Sequence, residues 1–574
     1  MAFDVVFAKA LSIELDKSLK GSKIEKINQP SSDMLVLSVR TSAGPKRLVI
    51  SASASSARIC FTEEKNENPQ TPPNFCIQAR KHLSGAIIDS VGTVGFDRVI
   101  EIRMTSRDEL GFECGKSLVC EIMGKYSNII LCSVDDTSRK VISVLRPVDF
   151  SSSRVRQVLP NMEYVCPPAQ DKINPTEENK ESFCSKAAVF DSAEDYKFFV
   201  NNYLGISPAV AREVLHRAIG TQRMCSDNIE KVWNSFSNLV DIIKTGGFSP
   251  CCVTEDDGSP IEFSYLSLTH YCKQEKCFDS FSELLEYYYL QKEKNSLLKN
   301  RIGGTLTVVN NALKKTEKKL GILEEELKEC ENADMYRKYG DLLTGSLYML
   351  KNKAEYADVP DYENEMKVVR VPMDIKLSPS QNAAKYYKKY NKLKSAKKNA
   401  VIQIEKSRND LAYLFSVINS LNMCENTSDV MQIRSELVTS GYLKDNKTKK
   451  KKETIHSEPI VITLASGRVV RCGKNNIQNE ELTLKQSKKS DIWFHVKSGA
   501  GSHVIMECEP DEEPSAEEYT QAAMIAAYYS NMKMSGSVPV DYTRIRYVKK
   551  QPDSAPGRVI YTDFYTAYVK PELP

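Results

Sequence analysis

The chain has 574 residues, which at roughly 150 per domain is enough for three or four modules. Hydrophobic residues at 41% and charged ones at 27% describe a folded protein, and a net charge of +4 points to no particular class of partner. Sixteen cysteines without paired spacing exclude a disulfide scaffold and read as reduced thiols of a cytosolic protein.

The start, Met1-Ala2-Phe3-Asp4, places an acid where a signal peptide needs basic residues, which speaks against export. Phe3, Phe7, Leu11, Leu15 and Leu19 recur every fourth position and predict an amphipathic helix. From Lys23 to about Val148 short Ile- and Val-rich segments predict strands, among them 34–39, 47–51, 86–91, 99–103, 118–123 and 128–133. One helix, 75–83, interrupts them. The segment 111–117, with Gly111, Gly115, Lys116 and Ser117, is one residue short of a phosphate-binding loop. A strand follows it instead of a helix, so nucleotide binding is not expected there.

Between Lys186 and Lys244 the period turns helical. In Tyr203-Leu204-Gly205-Ile206-Ser207-Pro208, Gly205 can end one helix, while Ser207 caps the next with Pro208 at its first position. This helix-hairpin-helix pattern fits a turn whose amides meet a phosphate, or an ordinary helical hairpin. Cys251, Cys252, His270, Cys272 and Cys277 lie close in sequence but lack metal-ligand spacing, so no metal is expected.

Two heptad seams follow. Ile302, Leu306, Val309, Leu313, Thr316, Leu320, Leu323, Leu327 and Cys330 form the first. The second runs Tyr386, Tyr390, Leu393, Lys397, Ala400, Ile404, Ser407, Leu411, Leu414, Ile418 and Leu421, with Lys397 and Ser407 as weak positions. The chain is expected to go out and return as an antiparallel coiled-coil arm of roughly 50 Å. Between 383 and 408 stand nine Lys/Arg, including Lys388, Lys389, Lys392 and Lys394, against the single acid Glu405. A solvated face normally mixes both signs; one-signed charge fits a phosphate-rich partner. A Lys-rich linker, Lys447 with Lys449 to Lys452, leads to a last module of strands around one helix, 516–533. His495 and His503 lack a marked nucleophile beside them; with Trp493 they fit RNA contact or packing.

Several motifs, taken together, resemble the NFACT family of ribosome quality-control proteins, of the RqcH type formerly called fibronectin-binding protein A. They are Asn68-Pro69, Pro72-Pro73, Arg80-Lys81-His82-Leu83, Gly95-Phe96-Asp97-Arg98, Glu121-Ile122-Met123-Gly124 and Pro167-Pro168-Ala169-Gln170-Asp171. Leu377-Ser378-Pro379-Ser380-Gln381 into Tyr386-Tyr387, then Gly473-Lys474-Asn475-Asn476, Asp491-Ile492-Trp493-Phe494-His495, Gly501-Ser502-His503 and Val540-Asp541-Tyr542-Thr543 continue the match in order. The resemblance implies a multidomain α+β chain: a β-rich NFACT-N domain over 1–175, completed by 246–290, and a helix-hairpin-helix domain over 176–245. A coiled-coil arm over 291–437 follows, with a tip insert at about 336–380, then the linker 438–457 and an NFACT-R domain over 458–574. It further implies a non-enzymatic cytoplasmic factor, monomeric on the ribosome, without cofactor, metal, membrane contact or catalytic residue. Its partners would be a large ribosomal subunit obstructed by peptidyl-tRNA, rRNA, and tRNA of the alanine type, recruited to extend stalled chains with alanine.

Asp97, Arg98, Glu121, Ile122 and Met123 match the family's tRNA-recruiting positions, although Ile122 and Met123 also fit a core. Arg80, Lys81, Lys474, Asn475, Trp493, His495, Ser502 and His503 join the four arm lysines as candidate RNA contacts. The N-terminal region is similar as well to formamidopyrimidine-DNA glycosylases, but Ala2 stands where that reaction needs a proline amine. Ser554 stands where the family would carry a basic residue, which weakens one RNA contact. A surface adhesin is the rival reading, and cell fractionation separates the two.

Overall fold

The computed structural model describes residues 3–574 other than 66, 109, 136–137, 169, 191, 351–353, 362, 365, 445–456, 511 and 553. The expectations attached to Ala2, Ala169 and the linker lysines Lys447 and Lys449 to Lys452 lie outside the described residues. Two compact units emerge, Met1–Asn295 and Ser296–Pro574.

In the first unit α1 (Val5–Leu19) precedes β1 (Lys23–Ser31), β2 (Met34–Thr41), β3 (Gly44–Ser51) and β4 (Arg58–Phe61). After α2 (Asn74–Leu83) come β5 (Ile87–Thr93), β6 (Val99–Arg107), β7 (Glu113–Glu121), β8 (Asn128–Val134) and β9 (Arg139–Val144). The strands form one antiparallel sheet, ordered β4-β3-β2-β1-β5-β6-β7-β8-β9. Phe3, Phe7, Leu11, Leu15 and Leu19 are fully buried on it, as the fourfold spacing predicts. Both faces of β6 to β8 are covered. Ile100, Leu118 and Leu131 face the main core, while Val99, Val119 and Ile130 face a second cluster closed by Val158 and Tyr164. That explains the near-continuous apolar runs. Gly111 forms part of the hairpin turn into β7, and no helix follows.

Four helices, α3 (Lys180–Ala188), α4 (Tyr196–Asn202), α5 (Pro208–Ile219) and α6 (Ile229–Thr245), pack into the same main core. So does a small sheet of β10 (Cys251–Thr254), β11 (Pro260–Ser264) and β12 (Gln274–Cys277), followed by the start of α7 (Phe281–Cys330). Among the described residues no group of three His, Cys, Asp or Glu side chains is placed to hold a metal ion.

In the second unit α7 continues, and after a turn at Glu331 and Asn332 comes α8 (Ala333–Gly345). A hairpin, β13 (Tyr356–Asp361) with β14 (Lys367–Pro372), leads to α9 (Pro379–Asn422), capped by a box between Ser378 and Gln381, and then α10 (Thr427–Thr439). Val309 packs with Leu414 and Val417, whereas Leu342 and Leu343 pack with Ala383. Late residues of the first limb thus meet early residues of α9, so the limbs run antiparallel. The mixed segment expected from 336 opens as helix. Gly340 lets the Tyr387 ring press against α8; a Cβ there would lie 3.0 Å from the ring.

The C-terminal sheet is ordered β15 (Ile460–Thr463), β16 (Val469–Cys472), β18 (Val504–Met506), β17 (Ile492–Val496), β19 (Val538–Arg544), β22 (Tyr565–Val569). Around it lie α11 (Asn476–Glu481), α12 (Ala516–Tyr528) and the hairpin β20 (Val548–Lys550) with β21 (Val559–Tyr561). The helix expected over 516–533 ends at Tyr528. The Asn531 amide donates to the Ala500 carbonyl at 2.9 Å and Ser502 N to Tyr529 O at 3.1 Å, which draws the backbone out of the helix. Among the described residues no helix is long and apolar enough to cross a membrane.

Candidate nucleic-acid interface

Residues 94–98 join β5 to β6. Gly95 takes the left-handed φ of +64°, and the Val94 amide donates back to Val99 O at 2.9 Å. Asp97 Oδ1 accepts from the Arg98 amide at 2.7 Å, so Asp97 fixes the turn that presents the half-buried Arg98. Val99 pairs with Glu121 across the sheet, and the Ile122 amide donates to Arg98 O at 2.9 Å. The two family motifs are therefore neighbours.

Their side chains divide between duties. Glu121 points to the same face as Val119, under the segment carrying Arg156 and Tyr164. Its Oε1 accepts from Arg156 Nη2 at 2.5 Å and from the Tyr164 hydroxyl at 2.8 Å. Burial pushes the Tyr164 phenol up, and the Glu121 charge adds to it. Ile122 is buried in the main core and Met123 half-buried in the second cluster. Of the five expected residues, Asp97 and Arg98 stand half-buried in the loop, and Glu121, Ile122 and Met123 hold the platform beneath them.

The hairpin at Gly205, more than 100 residues from Arg98 in the sequence, shares a cleft with it. This cleft, about 160 Å³, is lined by Arg98, Lys172, Asp4 and the turn Gly205 to Pro208. Gly205 has φ +72°, and a Cβ there would lie 2.7 Å from Val5 Cβ and 3.1 Å from the Phe96 ring. Only a glycine lets the turn close onto the loop that carries Arg98. Lys172 is placed by its neighbour: Ile173 N donates to Asn202 O at 2.9 Å, and Leu204 N to Ile173 O at 2.8 Å. Ser207 caps α5 as predicted, accepting from Val210 N at 3.4 Å. The turn is not free for a phosphate, however, because the buried Asp4 carboxylate accepts from Ser207 N at 3.3 Å and from Phe7 N at 2.9 Å. Burial pushes the Asp4 carboxyl up to about 7, against those donors. The cationic side of the cleft is Arg98 with Lys172.

The arm presents a different surface. Lys388, Lys389, Lys392, Lys394, Lys397 and Lys398 are all exposed along α9. Lys385 pairs with Asp374 at 3.0 Å and Arg408 with Glu324 at 3.0 Å. Lys389 lies 4.0 Å over the Tyr336 ring and Lys394 5.7 Å over Tyr390. Lys388, Lys392, Lys397 and Lys398 make no ion pair among the described residues. Seam positions are buried or half-buried except Lys397, and the Ser407 hydroxyl is buried without a partner among the described residues.

The other candidates behave more structurally. Arg80 ties α2 to β1 through Ile27 O at 2.7 Å and Asn28 Oδ1 at 3.0 Å; Lys81 beside it is exposed. Asn475 is buried, caps α11 and donates to Gln432 at 2.8 Å. Lys474 lies 3.5 Å from Glu425 and 3.7 Å from Asp429. Trp493, Ser502 and His503 are buried and His495 half-buried; Trp493, His495 and His503 line the inside of a cleft rather than an open surface.

Residues 4–455 match the model of the NFACT N-terminal and middle domains, and residues 460–563 that of the NFACT protein RNA binding domain. The chain is 35% identical over 576 residues to a protein named Rqc2 homolog RqcH from Bacillus subtilis (strain 168), covering all of this chain and 98% of that one. A protein of the same name from Streptococcus suis (strain 05ZYH33) is 32% identical over 584 residues at the same coverage. A solved structure, the N-terminal part of the fibronectin/fibrinogen-binding protein from Streptococcus suis, is 29% identical and covers 50% of this chain and 99% of its own, with a TM-score of 0.42.

Proposed function

This chain belongs to the NFACT family, among proteins of the RqcH kind, and from that premise we propose that it works on obstructed large ribosomal subunits. There it binds a subunit still carrying peptidyl-tRNA and recruits alanyl-tRNA, so that the stalled chain gains a C-terminal alanine tail without mRNA. Peptide-bond chemistry stays with the ribosome; this protein positions the tRNA and is no enzyme. Its place of work is the cytoplasm. The observation that carries the reading is the exposed lysine face of α9, which lacks the acids a solvated face would hold. On this reading the arm and the RNA binding domain dock on rRNA, while Arg98 and Lys172 meet the tRNA backbone.

The test is a double variant, Asp97→Ala with Arg98→Ala. Losing a charged hydrogen bond costs about 1.5–3 kcal/mol, roughly 10- to 150-fold in tRNA affinity. The variant should sediment with large subunits and lose only the small stability of the Asp97 turn contact, yet carry little tRNA and add no tails. Sequencing the RNA that copurifies with wild type should return one tRNA type beside rRNA. Equal tRNA recovery per bound subunit in variant and wild type would show that these residues are not the tRNA site.

A further inference from the structure

A second and larger cleft, about 620 Å³, lies in the C-terminal unit between the sheet and α9. That volume falls within the roughly 300–1,000 Å³ of small-molecule sites. Its walls are aromatic. Trp493 stacks on His495 with ring centroids 5.7 Å apart and 10° between planes, and lies 4.8 Å from Tyr561. His503 meets Trp493 edge-on at 5.3 Å. Phe415 of α9 also lines it and is 46% exposed.

The cleft is kept open by backbone that tolerates no side chain. A Cβ on Gly499 would lie 3.0 Å from Asn531 Oδ1, and one on Gly557, at φ +78°, 3.0 Å from Asn476 O. Two polar features remain unused. The indole N–H of Trp493 is buried and has no hydrogen-bond partner among the described residues. Arg558 lines the same cleft, half-buried, with neither an ion pair nor a side-chain hydrogen bond among the described residues. Burial holds both imidazoles below their usual range, and for His503 the neighbouring His495 adds to it, so the interior wall is uncharged.

A buried donor without a partner calls for an acceptor, and aromatic walls call for a flat ring. A single guanidinium then calls for an anion attached to that ring. We propose that this cleft seats one unstacked base of an RNA strand, with the adjoining phosphate on Arg558. This rests on reading the chain as an RNA-binding member of its family and adds the place where a base, rather than the backbone alone, is held. Arg558 stands four residues from Ser554, at the end of the turn between β20 and β21.

The test uses the full chain and fluorescence anisotropy of a labelled decaadenylate, beside a decamer of the same ribose-phosphate backbone without bases. Wild type should bind the decaadenylate at least tenfold tighter than the abasic strand. Trp493→Phe keeps the ring and removes the N–H; Arg558→Gln removes the charge at a half-exposed position that no folding contact needs. Each should weaken decaadenylate binding about three- to tenfold and shrink its advantage over the abasic strand, with melting temperature unchanged for Arg558→Gln. AMP should compete only at concentrations far above the strand's Kd. Equal affinity for both strands in wild type, or full discrimination in both variants, would overturn the base site and leave RNA binding intact. Tighter binding of AMP than of the strand would overturn the strand assignment. Failure to bind either strand would overturn the RNA reading together with it.

Discussion

In the first unit Glu121 is 4% exposed between Arg156 and Tyr164, and Glu213 is held by Arg217, His270 and Thr269. Along α9 in the second unit, Lys388, Lys392, Lys397 and Lys398 stand in solvent without an ion pair among the described residues. The same side-chain chemistry serves opposite ends. Inside, a charge is matched where it is made and becomes architecture; outside, along α9, it is left unmatched among the described residues. A motif that carries a carboxylate is therefore not on that account a contact, and Glu121 shows it.

The sharpest way to break this contrast is Glu121→Ala. It leaves Arg156, whose side chain is 13% exposed, with an uncompensated charge, and breaking such a buried pair costs about 3–5 kcal/mol. Chemical denaturation should show that loss, with subunit binding and tRNA recovery falling together. A fully stable variant that lost tRNA alone would return Glu121 to the contact surface. On the arm, reversing Lys388, Lys389, Lys392 and Lys394 to Glu should leave the melting temperature alone. Each phosphate contact contributes about 0.7–0.9 to the logarithmic salt slope, so losing four should flatten it by about 3 and cost roughly a hundredfold or more in affinity. Cosedimentation across a salt series reads both numbers. An unchanged slope would mean that the lysines are solvated decoration.

A third test concerns a carboxyl that the second unit does bury. Glu436 is 2% exposed, and burial pushes it up to about 7 despite the Asn476 side chain donating to it at 2.9 Å. An unfolded Glu ionises near 4.5, so between about pH 4.5 and pH 7 the folded chain binds the extra proton, and stability falls as pH rises through that window. Glu436→Gln keeps the acceptor for Asn476 and removes the titration. It should match wild type below about pH 4.5 and exceed it by about 3 kcal/mol above pH 7. Parallel stability curves from pH 4 to 8 would refute this. The smallest effect is expected at Ser207→Ala, which removes the α5 cap for about 1 kcal/mol. A much larger loss in a denaturation series would mean that Ser207 anchors the Asp4 contact as well.

How much of this the sequence shows depends on how far apart the partners lie. The arm limbs, the Ser207 cap and most strands of the first sheet follow from spacings of two, three and four residues, which local geometry dictates. The strand expected over 118–123 stops at Glu121, where the Met123 amide turns to the Ser127 hydroxyl, and the helix over 516–533 stops at Tyr528, where tertiary hydrogen bonds end it. Neither Arg156 nor Tyr164 is visible from Glu121, since they lie 35 and 43 residues along the chain. Trp493 misleads for a related reason. Ile492, Phe494 and Val496 fill one core, so alternation turns Trp493 to the opposite face, which a strand would ordinarily leave in water. Here that face is covered by Val548, Val559 and Tyr561 of a hairpin more than 50 residues further along the chain. The joining of Lys172 and Gly205 to the Arg98 loop is likewise a matter of packing, although the motif ending at Asp171 lies one residue from the answer.

The two limbs of the arm differ mechanically. The returning limb, α9, is an unbroken rod of 44 residues, about 66 Å long at 1.5 Å per residue. The outgoing limb is interrupted at Glu331 and Asn332, where the backbone turns between α7 and α8. A load on the β13–β14 hairpin is therefore carried by one stiff strut beside a jointed one. The base of the arm is tied by the packing of Val309 on Leu414, so the break at Glu331 and Asn332 is the place where the outgoing limb can yield. Amide exchange at residues 331–332 should accordingly be faster than in the middle of α9, where the helix is continuous.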